Sequence, residues 1–381
     1  VIDRPASVLK ELIENSLDSG ANKIEVQITH GGHDLIQVSD NGSGMNEKDL
    51  RLAFRRHATS KINKLDDLSK IETLGFRGEA LPSIASVSKI YARSSIDGNT
   101  SFHIKINGSK EKLLEPTSGL KGSIFKVQNL FYNTPARRKF LKKPQTEQAI
   151  INKIMRRFLY SRPDVSFKMI SNNKIVYDVP IQDLSKRITS VFGAAYEEKL
   201  LAVEMDKQPY RVSGYAGNLS MIKKRQGEQY LFLNGRYIQN RLLNSAVYSA
   251  YQSLINRGEF PFFTLFLEMP MDAFDVNVHP AKLEVRFVNE WQVYHVIKSS
   301  ITNVLQNILN VIPDYKSNGI TAHYLQTSTS ELPFSGKSYS DVYSTDKPPH
   351  QKNYQGNDVY LSVDNKDRSV GENASIRLNI E

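Results

Sequence analysis

Glu11 and Asn15 are four residues apart, so a helix through them would place a carboxylate and an amide on one face, converging on a bound ion and a water. The polar side of any amphipathic helix offers the same arrangement, and a solvated surface is the commoner reason for it. A second group is Asp40-Asn41-Gly42-Ser43-Gly44. Here an acceptor precedes glycines that permit positive φ and close approach of a flat ligand. The aspartate could accept from an exocyclic amine such as that of adenine, although Asp-Asn-Gly is also an ordinary turn. The third group, Gly75-Phe76-Arg77-Gly78-Glu79-Ala80-Leu81, sets two glycines three apart ahead of a helix. Backbone N–H groups at such a start can cradle phosphates; a structural loop is the rival. All three in this order are far less expected by chance than any one.

Other chemistries are excluded. No Gly-x-x-x-x-Gly-Lys-Ser/Thr run occurs, so a nucleotide site would have to be assembled without a P-loop. The eight histidines are scattered and no His-Glu-x-x-His helix exists. With no cysteine, disulfides, thiolate nucleophiles and cysteine-ligated zinc are ruled out.

The elements that would position these groups can be read from periodicity. Pro5 suits the first helical position, and a helix to about Asp18 buries Leu9, Leu12, Ile13 and Leu17, with Gly20 closing it. Strands at Lys23 to Thr29 and Leu35 to Asp40 join through Gly31-Gly32, which puts Asp40 at a strand end. A helix from about Asn46 to Arg56 leads into a long polar stretch reaching Gly75, readable as a lid, and Glu79 to Ser86 is helical again. Further strands are predicted at 89–96, 101–107, 122–129, 165–171 and 174–179, with helices near 145–160 and 183–192. A second unit starts near Glu197 to Met205. It carries a hairpin turning at Asn234-Gly235, helices at about 241–256 and 290–311, and strands at 260–269 and 283–287. From Pro313 onward Leu, Ile, Val and Phe supply 12 of 69 residues, which predicts a disordered linker.

Net charge is +10 over 381 residues, and residues 1 to 312 carry +12 of it against −2 in the remainder. The expected folded part is the basic part, which favours a polyanionic partner. Between Asn133 and Arg157 stand Arg137, Arg138, Lys139, Lys142, Lys143, Lys153, Arg156 and Arg157 against Glu147 alone, and Arg241 adds a basic position further on. Such residues would contact DNA phosphates with little sequence preference; a solvated face is the alternative. No apolar run has the length of a membrane helix, and the chain is expected to be cytoplasmic. It opens on Val1 rather than methionine, and is expected to be a fragment.

Taken together, Glu11-x-x-x-Asn15, Asp40-x-Gly42-x-Gly44 and Gly75-x-x-Gly78 resemble the Bergerat nucleotide-binding fold of the GHKL ATPases: type II topoisomerases, the heat-shock chaperone of that group, histidine kinases and MutL. Several stretches look specifically like the MutL-type mismatch repair family. They are Arg4 to Ser7 through Glu14 to Asp18, His57-Ala58-Thr59-Ser60-Lys61, Gly75 to Leu81, Asn133 to Leu141, and Asn277 to Lys282. The resemblance covers roughly residues 1 to 312 and implies an α+β chain: a Bergerat-type ATPase sandwich over 1–200, a smaller α/β domain of ribosomal-protein-like type over 201–312, then the linker. It implies ATP and Mg²⁺ as cofactors, with Glu11 as general base and Asn15 as the metal ligand. Asp40 would read adenine, joined in the nucleotide site by Asn41, Gly42, Gly44, Thr59, Lys61, Gly75, Phe76, Arg77, Gly78, Glu79, Leu81 and Ser123, the last standing where the family has threonine. Lys282 would reach the γ-phosphate from the second domain.

The family further implies slow ATP turnover, ATP-dependent homodimerisation, clamp-like action on DNA, and the mismatch-recognition protein MutS and downstream repair factors as partners. A segment that the family places before Val1 and its C-terminal dimerisation domain are expected to lie outside this chain, and no nuclease is assigned. A DNA-binding module with an inactive ATP site and a topoisomerase-type ATPase region are the alternatives. Intact Glu11, Asn15, Asp40 and loop glycines argue against the first, and the Asn133 to Leu141 stretch against the second.

Overall fold

The computed structural model describes residues 2–55, 79–275 and 284–311. Thr59, Lys61, Gly75, Phe76, Arg77, Gly78 and Lys282, the expected lid and the expected linker all lie outside the described residues. Helix α1 (Pro5–Asp18) starts with proline at its first position and buries Val8, Leu9, Leu12, Ile13 and Leu17. Strands β1 (Lys23–Thr29) and β2 (Leu35–Asp40) pair antiparallel around a turn in which Gly31 has φ +62°. Helix α2 (Glu47–Leu52) is capped by Asn46, whose side chain accepts from the Asp49 amide. The first lobe continues with α3 (Ala80–Ser86), β3 (Lys89–Ser95), β4 (Ser101–Asn107), β5 (Lys110–Thr117), β6 (Gly122–Gln128), α4 (Pro135–Lys139), α5 (Pro144–Ser161), β7 (Ser166–Ser171), β8 (Lys174–Val179) and α6 (Leu184–Phe192).

The eight strands form one sheet in the order β5-β4-β3-β6-β2-β1-β7-β8. All neighbours are antiparallel except β1 and β7. One face is apolar in register across the strands: Val26, Val38, Phe125, Ala92 and Ile104 form a ladder, with Ile28, Ile36, Val127, Ile90 and Ile106 beside it. These residues and the apolar stripes of α1 and α5 make a single core.

The second lobe holds β9 (Leu200–Lys207), β10 (Tyr210–Gly217), β11 (Gln229–Leu233), β12 (Arg236–Ile238), α7 (Arg241–Tyr251) and β13 (Phe263–Glu268). The short strands β14 (Phe274–Asp275) and β15 (Arg286–Phe287) and the helix α8 (Glu290–Val311) complete it. Its sheet runs β12-β11-β13-β10-β9, and α7 and α8 supply its core partners. The α+β class and both lobes therefore follow the expectation. Strands β5, β10 and β14 do not appear in the sequence reading, and β9 falls where it places only the start of the second unit. No helix among the described residues is long and apolar enough to cross a membrane.

Between the lobes lies a cluster of aromatic side chains. Tyr160, Ile188, Met221, Tyr230, Phe232 and Phe262 are buried together, with Tyr160 edge-on to Tyr230 at 4.8 Å between ring centroids. Beneath it Arg187 of α6 is fully buried, and its Nη2 donates to the carbonyls of Pro163, Val165 and Pro180 at 2.8–2.9 Å. Burial pulls the guanidinium down to about 10. Methionine at this position would fill similar space but leave three inward carbonyls without that donor. Arg187→Met is expected to cost about 2–4 kcal/mol, read as a lower urea midpoint at unchanged slope.

Candidate nucleotide site

Asp40 ends β2 on the helix-covered face of the sheet. Its Oδ2 accepts from Ser16 Oγ of α1 at 2.9 Å, and its Oδ1 accepts from the Gly42 and Ser123 amides at 3.0 and 3.2 Å. Burial pushes this carboxyl up from its ordinary range, and the donors of Gly42, Ser16 and Ser123 pull it back in part. Asp40 and Ser123 are directly opposed across β2 and β6. Ser123 Oγ lies 2.8 Å from Ser94 Oγ of β3, which in turn accepts from the Met45 amide at 2.8 Å. One carboxylate thus ties α1, two strands and the glycine-rich turn to a common point.

The glycines are needed for this convergence. A Cβ on Gly44, at φ +68°, would stand 1.9 Å from the Ser95 carbonyl oxygen, and one on Gly122, at φ +106°, 2.0 Å from that of Asp40. Gly42 presses on Ser19, whose Oγ would be 2.0 Å from an added Cβ. The Asn41 side chain is engaged within the protein. Its Oδ1 accepts from the amides of Asn22 and Lys23, and its Nδ2 donates to Asn22 Oδ1 at 2.7 Å. The side chain is a clip on the α1–β1 loop.

Glu11 and Asn15 lie on α1, both half-buried. Lys10 Nζ sits 3.4 Å from Glu11 Oε1 and 2.7 Å from Glu14 Oε2. Lys10 is not singled out from the sequence, and Glu14 and Ser16 enter it only within a family-like stretch and not as site residues. Ser16 could have been one, because it follows Asn15 and shares the side of α1 turned toward the β2 terminus. Glu79 immediately precedes α3, its carbonyl accepting from the Ser83 amide at 3.0 Å, while Leu81 packs against the first-lobe core.

The residues fit the group that the sequence implies. A carboxylate and an amide on one helix face are hard oxygen donors, the kind Mg²⁺ takes when most of its remaining ligands are water and phosphate. Among the described residues no cluster of three or more His, Cys, Asp or Glu could hold a metal by itself.

The basic segment is divided by the fold. Arg137, Arg138, Lys139, Lys142 and Lys143 are exposed, as is Arg241 at the start of α7. The segment is anchored by Glu147, fully buried, whose Oε1 accepts from the Lys142 amide at 3.1 Å. Arg156 and Arg157 do not join the exposed set. Arg156 Nε donates to Tyr177 Oη at 3.1 Å, and Arg157 lies 4.0 Å from the centroid of the Tyr237 ring in β12. Both are half-buried at the seam between the lobes, because a helix facing aromatic strands turns its long cations onto their rings.

Set beside known proteins, residues 3–119 match the family model for histidine kinase-, DNA gyrase B- and HSP90-like ATPases. Residues 188–306 match that described as DNA mismatch repair protein, C-terminal domain. The first lobe is therefore an ATPase module of the GHKL class. The chain is 40% identical over 323 residues to the DNA mismatch repair protein MutL of Phocaeicola vulgatus, covering 84% of this chain and 52% of that protein. It is 42% identical over 314 residues to that of Bacteroides fragilis, covering 82% and 50%. A solved N-terminal domain of a DNA repair protein superposes with a TM-score of 0.71 at 25% identity, covering 82% of this chain and 97% of that one. The Aquifex aeolicus MutL ATPase domain complexed with ADP gives 0.55 at 26%, covering 78% and 98%. The chain belongs to the MutL family of DNA mismatch repair proteins and carries its ATPase region. It spans about half the length of the curated relatives it matches.

Glu14 gives this site a pH dependence. Burial raises it from 4.5 to about 7, against the opposing pull of Lys10 and of Arg236 from β12. The folded state thus favours the protonated form. Its contribution to stability is complete below about 4.5 and is lost as pH rises through 7. Glu14→Gln cannot ionise, so from pH 4.5 to 8 its stability should gain on wild type by up to about 3 kcal/mol. Urea titrations at both pH values measure this, and a constant difference would mean that Lys10 compensates the buried charge in full.

Proposed function

We propose that this chain is the Mg²⁺-dependent ATP-binding and slowly ATP-hydrolysing part of a MutL-type mismatch repair protein, with residues 1–200 as the ATPase domain and 201–312 as the second domain. The observation that carries the reading is the Asp40 carboxylate, fixed by three donors at a strand end beside close-packed glycines. Such an acceptor is oriented before a ligand arrives and can take the exocyclic amine of adenine without reorganisation. The Aquifex aeolicus relative holding ADP supports the same assignment.

In this reading Asn15 would hold Mg²⁺, which when bound neutralises charge on the phosphates. Glu11 orients a water on the γ-phosphate and accepts its proton as the water oxygen bonds to phosphorus and the bond to the ADP oxygen breaks. Lys10, beside Glu11, limits the freedom of that carboxylate. Lys282, Thr59, Lys61, Glu79, Leu81 and the Gly75–Gly78 loop complete the nucleotide contacts. ATP-dependent dimerisation of this region, clamp-like action on DNA and contact with MutS belong to the same proposal for the whole protein.

The test is nucleotide binding and single-turnover hydrolysis with Mg²⁺. Glu11→Ala should bind ATP as wild type does and lose hydrolysis by about 100-fold or more, while Asp40→Asn should lose binding. If both variants bind and hydrolyse normally, the assignment fails.

DNA contact is assigned to Arg137, Arg138, Lys139, Lys142, Lys143 and Arg241. Each phosphate contact removed should reduce the slope of log affinity against log salt on duplex DNA by about 0.9. Arg137→Ala with Arg138→Ala is therefore expected to flatten it by about 1.8 with no preference among sequences. A slope equal to that of wild type would remove these two residues from the interface.

A further inference from the structure

The apolar ladders that face α1 and α5 leave the opposite face of the eight-stranded sheet to a different set of side chains. Strand register puts Lys105, Tyr91, Lys126 and Gln37 in one row across β4, β3, β6 and β2. Asn107, Lys89 and Gln128 form the next row, and His103 and Arg93 the row on the other side. On this face Lys89, Tyr91, Lys105, Lys112, Lys126 and Gln128 line a pocket of about 360 Å³. No carboxylate lines it, and none of its four lysines lies within 4.0 Å of an acidic group among the described residues.

The lysines are arranged around aromatic faces. Lys126 Nζ is 5.5 Å from the Tyr91 ring centroid and Lys89 Nζ 5.4 Å from that of Tyr132. Tyr91 also stacks on His103 at 5.5 Å and 28°. Four cations on one sheet face with no acidic partner among the described residues repel one another, which weakens the fold unless an anion neutralises them. A stack of rings between them suits a ligand with both phosphates and free π-faces. Duplex DNA keeps its bases stacked on each other and would use only the cations; a single strand uses both.

We propose that this open sheet face binds single-stranded DNA, with Lys89, Lys105, Lys112 and Lys126 on phosphates and Tyr91 as a platform for an unpaired base. The site is distinct from the exposed segment Arg137 to Lys143, and does not depend on the ATP reading. The experiment is fluorescence anisotropy on a labelled thymidine oligomer of about 20 nucleotides, longer than a single site of this kind, across a salt series and without nucleotide. Lys105→Ala with Lys126→Ala should flatten the log–log salt slope by about 1.4. Tyr91→Leu should weaken single-strand binding roughly 5- to 100-fold and leave a duplex of the same length nearly unaffected.

Arg137→Ala with Arg138→Ala, measured in parallel, should add to these losses. Urea midpoints check that each variant is folded, and if Tyr91→Leu is not, the lysine pair decides. Wild-type slope and affinity in the lysine pair would overturn the proposal, as would equal loss on single strand and duplex in Tyr91→Leu. Failure of wild type to bind the oligomer would also overturn it and leave the nucleotide assignment untouched.

Discussion

A carboxylate that is half-buried and still meets three donors constrains everything around it. Asp40 needs the Ser16 hydroxyl from α1, the Gly42 amide from its own turn and the Ser123 amide from β6. Losing any one leaves an acceptor short of a partner in a place water reaches poorly. The site thus fixes the register of β2 against β6, the rotation of α1 about its axis, and the path of the turn. That rotation is what directs Glu11 and Asn15, about two turns and one turn before the end of α1, to their shared face. The geometry around Asp40 is therefore set by the packing of a strand terminus.

The seam between the lobes brings second-lobe side chains close to α1 and α5. The hairpin of β11 and β12 presents Arg236 close enough to influence Glu14 and Tyr237 close enough to hold Arg157. Glu14 in turn shares Lys10 with Glu11. A displacement of the hairpin would change the field at Glu14, redistribute Lys10 between its two carboxylates and alter the freedom of Glu11. Ligand-driven rearrangement requires such differential contacts. The aromatic cluster stiffens the seam, because packed rings resist small continuous shifts.

Periodicity and turn chemistry revealed much of this fold in advance. The bounds expected for α1, β1 and β2 coincide with those observed, since an N1 proline, strict alternation and a glycine pair are local signals. The β11–β12 turn at Asn234-Gly235 was legible for the same reason. Strand β5 was not. It is an edge strand with a bulge opposite Lys105/Ile106 and a proline at 116, so it lacks the alternation that marks a half-buried strand. Asn41 and Arg156 show the complementary limit. Their residue types suited a ligand, but which way each side chain turns is decided by partners distant in sequence, Asn22 for one and Tyr177 for the other.

The same alternation lets one strand serve both faces of the sheet. On β3, Ser94 points inward to Ser123 and through it toward Asp40, while Tyr91 points outward between Lys105 and Lys126. Because the side-chain period of a strand is two, a slip of one residue in β3 would turn Tyr91 into the core and Ser94 out to solvent. It would also drive Ile90 and Ala92 into water, so the apolar ladder that stabilises the first lobe holds both surfaces in register at once. Ser94 and Tyr91 are three residues apart on a strand only seven residues long, and neither surface can shift its pairing without the other.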